Sequence, residues 1–137
     1  MNPDQIFAIA NPLAALSWLL LIVAPKRAAL VTGLAVPATF AVLYSALIAA
    51  SWGGSDGGFS SLAAVAQLFG NRWLLLAGWV HYLCFDLLVG TWEVHDAQSR
   101  GVPHLLVVPC LILTFLFGPA GWLLYKAVSL SYRPSIT

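Results

Sequence analysis

Charged side chains are scarce in this chain of 137 residues. Asp, Glu, Lys and Arg together make up 8% of it, whereas hydrophobic residues make up 61%. A soluble domain carries about 25% charged residues, so this chain lacks the side chains that would cover a water-facing surface. It is therefore expected to be an integral membrane protein, and its length suits a single membrane domain over residues 1–137.

Two further shortages exclude other classes of protein. The formal net charge is only +1 and no cluster of Lys and Arg occurs, which argues against a nucleic-acid partner. The two cysteines, Cys84 and Cys110, both lie in apolar runs. A cysteine in such a run is usually a small buried hydrophobe, so neither a disulfide nor a cysteine metal pair is expected.

Four apolar stretches are long enough to cross a membrane, since a transmembrane helix takes about 20 mainly apolar residues. They predict an all-α fold, an integral membrane four-helix bundle with transmembrane helices at 5–24, 28–50, 73–95 and 104–126. Residues 60–70 begin with serine and end with glycine, which predicts a short interfacial helix between the second and third helices.

The third predicted helix carries most of the acidic residues. Asp86, Glu93 and Asp96 are three of the five in the chain. A charged side chain in hydrocarbon costs roughly 2.5–3.5 kcal/mol on insertion scales, so it usually persists for a functional reason. Because burial favours the neutral carboxylic acid, which can donate a proton, Asp86 is the first candidate for a catalytic acid. The alternative is an aspartate that only helps helices to pack.

Helical geometry sorts the polar residues of this helix into faces. At 100° per residue, Tyr82, Asp86 and Glu93 fall within about 40° of one another, with Trp79 close by. His81 lies about 140° from Asp86, on another side of the helix. Two carboxyl groups on one face can divide into an acid and a base when their environments differ, so Glu93 is a candidate partner for Asp86.

The three histidines raise the question of a metal site. His81 and His95 are about 21 Å apart along an unbroken helix, so they cannot share one metal. His95 could meet His104 where the third and fourth helices connect, but this spacing is not a recognised ligand motif. We expect neither a metal nor another cofactor, although a His/carboxylate metal site stays open.

Other residues near the ends of these helices are candidates for binding a substrate. Arg100 is expected to pair with Glu93 or Asp96, and residues 118–121 (Gly-Pro-Ala-Gly) to allow a kink or close helix approach. The tryptophans suit an interfacial belt or, deeper in the bilayer, the lining of an apolar tunnel. The candidate substrate-binding residues are Trp79, Tyr82, Trp92, His95, Asp96, Arg100 and His104.

Three segments of the last two predicted helices carry a family resemblance. They are residues 79–92 (Trp-Val-His-Tyr-Leu-Cys-Phe-Asp-Leu-Leu-Val-Gly-Thr-Trp), 95–104 (His-Asp-Ala-Gln-Ser-Arg-Gly-Val-Pro-His) and 109–121. Together they resemble the abscisic-acid-deficient family of small membrane proteins, whose plant members are associated with neoxanthin synthesis. Since no plastid transit peptide is seen, we expect a bacterial member, a multi-pass protein of the inner (cell) membrane.

The resemblance implies an enzyme that converts an epoxy- or polyene carotenoid without net redox change. Conversion of violaxanthin to neoxanthin opens an epoxide and forms an allene. That reaction needs an acid to protonate the epoxide oxygen and a base to remove a proton from the chain. On this hypothesis Asp86 is the acid, and Glu93 or His81 is the base. The implied partners are a carotenoid and membrane lipid, and a homo-oligomer is also open.

Two other functions stay open at this point. A small helical membrane protein can be a non-catalytic accessory subunit that binds a carotenoid or lipid, with Asp86 serving helix packing. It can also be a component of a proton or ion pathway built on Asp86, His81 and Glu93.

Overall fold

The computed structural model describes residues 1–132, which are helical throughout their regular elements and contain no strand. Three of the helices, Pro3–Val23, Pro25–Gly54 and Arg72–Arg100, are long and apolar enough to cross a membrane. The predicted all-α membrane fold is therefore confirmed. The helices are α1 (Pro3–Val23), α2 (Pro25–Gly54), α3 (Leu62–Phe69), α4 (Arg72–Arg100), α5 (His104–Phe117) and α6 (Pro119–Ser129).

The first helix begins with a capping box. The side chain of Asn2 accepts a hydrogen bond from the backbone N–H of Gln5, and the Gln5 side chain accepts one from the backbone of Asn2. The helix continues through Pro12 and ends at Val23. Only Ala24 separates it from α2, so the first two helices form a hairpin.

Helix α2 contains a π-helical turn over Val31–Ala35. The backbone N–H of Val36 bonds to the carbonyl of Val31, five residues earlier. Pro37 has no N–H and its ring disfavours regular α-helix in the preceding turn, which accounts for the widened turn. Gly33 in this turn lies close to the Thr91 methyl group of α4, so the π turn is part of the contact between α2 and α4.

The predicted short helix between the second and third spans is present as α3. The side chain of Ser61 accepts a hydrogen bond from the backbone N–H of Ala64, which caps the helix at its start. Leu68 is buried, whereas Leu62 is almost fully exposed. An apolar residue exposed in this way suits a helix that lies at the membrane surface.

The fourth apolar run differs from prediction. Residues 104–126 do not form one spanning helix, because the run is broken at Gly118, whose φ is +44° and ψ −97°. A Cβ on Gly121 would collide with the backbone of Thr114. In a straight helix these two residues would be about 10 Å apart along the axis, so α6 folds back against α5.

Helices α5 and α6 therefore form a re-entrant hairpin beside α4. Near the tip, Thr114 hydrogen-bonds to Glu93; on the returning arm, Tyr125 hydrogen-bonds to Asp96. The tip itself, Gly118, lies against Asp86, the central residue of α4. Since α4 is about 43 Å long and Asp86 is its central residue, the hairpin reaches about halfway along α4 and turns back. The described part of the fourth apolar run therefore contains no helix of spanning length, because α5 has only 14 residues.

Helix α1 packs closely on α4 at Gly90. The six-membered ring of Trp18 occupies the space in which a Cβ of residue 90 would lie, and Leu21 is also close. Trp18 is buried and its ring is 5.5 Å from that of Phe115 in the hairpin. The contact links α1, α4 and α5, and it fixes the position of the hairpin relative to the candidate site.

Candidate functional site

Asp86 presents its carboxyl group to the tip of the hairpin. A Cβ on Gly118 would stand 3.0 Å from Oδ1 and 3.4 Å from Oδ2, so the missing side chain at residue 118 leaves room for this carboxyl group. Oδ2 is buried and has no hydrogen-bond partner among the described residues. Leaving such an atom unpaired costs about 1–3 kcal/mol. Asp86 therefore has hydrogen-bonding capacity that the fold itself does not use.

Tyr82 connects the same face of α4 to the hairpin. Its hydroxyl group donates a hydrogen bond of 2.9 Å to the carbonyl oxygen of Phe115. This carbonyl belongs to the last turn of α5, where carbonyl groups have no partner within the helix. The bond satisfies one of them and holds the hairpin tip close to Asp86, one turn along α4 from Tyr82.

Glu93 is on the same face but is enclosed. Its side chain is 0% exposed, and both carboxyl oxygens accept from the Thr114 hydroxyl group, at 3.0 and 3.2 Å. The ion pairs of the described chain, Arg72 with Asp4 and Arg100 with Asp96, do not include it. A substrate therefore cannot reach Glu93 unless the hairpin moves away from α4.

A second polar group joins α6 to the C-terminal part of α4. Asp96 Oδ2 accepts from Arg100 Nε and from the Tyr125 hydroxyl group, both at 2.7 Å. Lys126 Nζ lies 4.3 Å from the ring centroid of Trp92, within the range of a cation–π contact. Of the two pairings expected for Arg100, the structure contains the one with Asp96. These residues hold the hairpin in place rather than line the space beside Asp86.

The three histidines lie in separate places. His81 stacks on Phe85 at 4.6 Å and is 5.4 Å from the ring of Tyr44 in α2. It lines a groove of about 580 Å³ on the side of α4 away from Asp86. His95 is exposed, and His104 hydrogen-bonds through Nε2 to the Ile22 carbonyl at 2.7 Å. Within residues 1–132, no three His, Cys, Asp or Glu side chains group as a metal site would require.

Trp79 belongs to a groove between α1, α4 and α5. Its indole Nε1 donates a hydrogen bond of 2.7 Å to Asn11 Oδ1, and its ring lies 5.3 Å from that of Tyr82. The groove has a volume of about 480 Å³, and Phe115 and Leu116 of the hairpin form part of its wall. Two of the candidate substrate-binding residues, Trp79 and Tyr82, therefore share one apolar space. Its lining on α4 ends at Tyr82 and Leu83, about one helical turn from Asp86.

The predicted face of α4 is present in the structure. Tyr82, Asp86 and Glu93 all meet the hairpin, whereas His81 does not. Thr114 and Tyr125, which bind the carboxyl groups of this face, were not expected from the sequence. The sequence feature that could have indicated these contacts is the glycine and proline pair at 118–119. Such a pair predicts a break in the helix, and a break allows the second half of the run to turn back towards α4.

A comparison with protein families covers most of the chain. The family model described as ABA DEFICIENT 4-like matches residues 5–125, a range that begins in the first turn of α1 and ends within α6. No curated protein and no solved structure matches the chain. The resemblance carried by the last two predicted helices thus extends to the first two.

Proposed function

Because this chain belongs to the ABA DEFICIENT 4-like family, we propose that it is a membrane-embedded isomerase of an epoxy- or polyene carotenoid. The observation that carries this proposal is the carboxyl group of Asp86. It sits at the centre of a membrane-spanning helix, and its buried Oδ2 has no partner among the described residues. An ionisable group at that depth is costly and usually functional.

The proposed reaction is an acid/base conversion without net redox change. Asp86, as the carboxylic acid, gives its proton to the epoxide oxygen as the carbon–oxygen bond breaks. Asp86 is then a carboxylate and removes a proton from the chain carbon next to the one whose bond to oxygen broke. The electron pair of that C–H bond forms the new double bond of the allene. The product has the atoms of the substrate, and Asp86 is again protonated.

One carboxyl group in both roles fits the geometry better than two. The epoxide oxygen and the chain proton are only a few bonds apart, whereas Asp86 and Glu93 are about 10 Å apart along α4. Glu93 is also enclosed by Thr114, and His81 lines another groove. In this proposal Glu93 positions the hairpin, and Tyr82 holds the tip against Asp86.

The proposal is tested by expressing the protein with violaxanthin and analysing the extracted pigments by chromatography. The unaltered protein should form an allenic product, and Asp86→Asn should form almost none because an amide cannot donate or recover the proton. Asp56→Asn, in the exposed connection before α3, is the matched control and should convert normally. Full conversion by Asp86→Asn would exclude the proposed role.

The same experiment distinguishes the isomerase from the alternative of a non-catalytic protein that binds a carotenoid or lipid. The apolar groove beside Tyr82 is suited to hold a lipophilic molecule whether or not a reaction follows. Pigment that co-purifies unchanged with both the unaltered protein and Asp86→Asn would favour a carotenoid-binding protein over an isomerase.

A further inference from the structure

The groove between α1, α4 and α5, which we call the Trp79 groove, has an apolar lining that contains two residues able to hydrogen-bond a ligand. They are Asn11 of α1 and Tyr82 of α4. Both lie beside the Trp79 indole. Asn11 Oδ1 accepts from its Nε1 at 2.7 Å, and the centroid of the Tyr82 ring is 5.3 Å from that of Trp79. Because the indole N–H is used in the bond to Asn11, the side-chain hydrogen bonds open to a ligand come from Asn11 and Tyr82.

The bond with Trp79 determines the orientation of the Asn11 amide. An indole N–H is a donor and never an acceptor, so it has to bond the amide oxygen. Asn11 Nδ2 then keeps two N–H donors, and neither has a partner among residues 1–132. An unpaired polar group inside a membrane span is costly, since no water is there to bond it. These donors suit an uncharged acceptor on a ligand, such as an ether, carbonyl or hydroxyl oxygen.

Tyr82 connects the Trp79 groove with Asp86, which does not line it. Side chains four residues apart are neighbours on the surface of a helix, and the Tyr82 hydroxyl group is close enough to the Asp86 carboxyl group to interact with it. The hydroxyl group donates to the Phe115 carbonyl oxygen, and its own oxygen can still accept a hydrogen bond. A proton held by Asp86 therefore has a route to the groove through Tyr82.

We infer that the Asn11 amide binds the reacting oxygen of the substrate in the Trp79 groove, and that Tyr82 carries the proton between this oxygen and Asp86. The inference rests on the proposed function for the reaction. As the carbon–oxygen bond breaks, Tyr82 gives its hydroxyl proton to the oxygen and takes the proton of Asp86. When the chain carbon loses its proton, the Tyr82 oxygen takes it and returns its own proton to Asp86. Both residues end the cycle protonated, so Asp86 remains the source and the final acceptor of the proton.

The role of Asn11 is tested by comparing the affinities of the purified protein for β-carotene monoepoxide and for β-carotene. The two ligands differ by one oxygen atom, so a change in packing affects both alike. Binding is followed in phosphatidylcholine nanodiscs by induced circular dichroism, in the Asp86→Asn background to prevent turnover. Asn11→Leu should reduce the preference for the epoxide about fivefold, which corresponds to about 1 kcal/mol for one hydrogen bond. Ser45→Leu, on an exposed position of α2 outside the described grooves, should leave the preference unchanged.

A second background shows whether Asn11 acts on the ligand or only through Trp79. Trp79→Phe removes the indole N–H and leaves the amide of Asn11 in place. Asn11→Leu should therefore still reduce the preference for the epoxide when it is added to Trp79→Phe. If it had no effect there, Asn11 would act by positioning Trp79, and the inferred hydrogen bond to the ligand would be wrong.

The role of Tyr82 is tested by conversion of violaxanthin. Tyr82→Phe keeps the ring without the hydroxyl group and should slow conversion about a hundredfold or more, as expected for loss of a proton-transfer group. Tyr125→Phe is the matched control, because its hydroxyl group also joins the hairpin to α4 but does not line the groove. It should convert normally per folded molecule, and thermal melting establishes that both variants are folded.

The outcomes separate this inference from the proposed function. The inference is overturned if Tyr82→Phe and Tyr125→Phe convert equally well, or if Asn11→Leu leaves the preference for the epoxide unchanged. Normal conversion by Tyr82→Phe together with loss of conversion in Asp86→Asn would keep the isomerase and remove the role of Tyr82. A preference for the epoxide that depends on Asn11, without an allenic product from the unaltered protein, would support the oxygen-binding site and remove the isomerase.

Discussion

The carboxyl group of Asp86 occupies the space next to Gly118 that a side chain at residue 118 would need. The two residues are far apart in sequence, and the contact forms because the chain turns back at Gly118. The positive φ of Gly118 and its closeness to the carboxyl group both require glycine. The hairpin tip and the candidate catalytic group therefore depend on each other.

Gly118→Ala should lower both stability and carotenoid conversion. The methyl group meets the Asp86 carboxyl, and a φ of +44° with a ψ of −97° lies outside the regions that L-residues adopt. Gly101→Ala is the matched control, since Gly101 has a φ of +70° but open space around its Cβ position. Thermal melting should show a loss in both variants, whereas only Gly118→Ala should lose conversion. Equal conversion by the two variants would show that the contact with Asp86 is unimportant.

The part of this structure that the sequence predicts is the local part. Apolar runs of sufficient length identify α1, α2 and α4, and the 3.6-residue period places Tyr82, Asp86 and Glu93 on one face. The hairpin is not predicted, because residues 104–126 are as apolar as a spanning helix. Its formation depends on contacts between residues distant in sequence or across the break, such as Thr114 with Glu93 and Tyr125 with Asp96.

Removing the hydroxyl group of Thr114 should destabilise the protein. In Thr114→Val the buried Glu93 loses the donor to both of its oxygens, and an unpaired buried polar group costs about 1–3 kcal/mol. Thr114→Ser retains the hydroxyl group and should melt close to the unaltered protein in detergent micelles. If the serine variant were as unstable as the valine variant, the missing methyl group rather than the hydrogen bond would be the cause.

Gly90→Ala should be destabilising because its new methyl group enters the space of the Trp18 ring. Overpacking of this kind costs about 1–3 kcal/mol. In the Trp18→Leu background the same substitution should cost clearly less, since the six-membered ring is gone. A double-mutant cycle of unfolding free energies measures the difference. Additive effects of the two substitutions would contradict the close packing of α1 on α4.

The re-entrant hairpin places the described basic residues unequally across the membrane. Lys26 and Arg27 follow α1, Arg100 ends α4, and Lys126 lies on the returning arm of the hairpin, so these four share one side. Among residues 1–132, the opposite side has one Lys or Arg residue, Arg72, which is paired with Asp4. A continuous fourth span would instead have carried Lys126 across. The positive-inside rule then predicts that the side with four basic residues is cytoplasmic.

Cysteine labelling with a membrane-impermeant maleimide in intact cells tests both the hairpin and this orientation. The native Cys84 and Cys110 are buried, so the unaltered protein serves as the blank. Ser60→Cys, in the connection before α3, should be labelled in intact cells. Arg27→Cys and Ser131→Cys, which follow α1 and the hairpin, should be labelled only after the cells are permeabilised. Labelling of Ser131→Cys together with Ser60→Cys, but not Arg27→Cys, would mean that the chain crosses the membrane a fourth time. If only Arg27→Cys and Ser131→Cys were labelled in intact cells, the hairpin would be supported, but the membrane orientation would be the opposite of the one predicted.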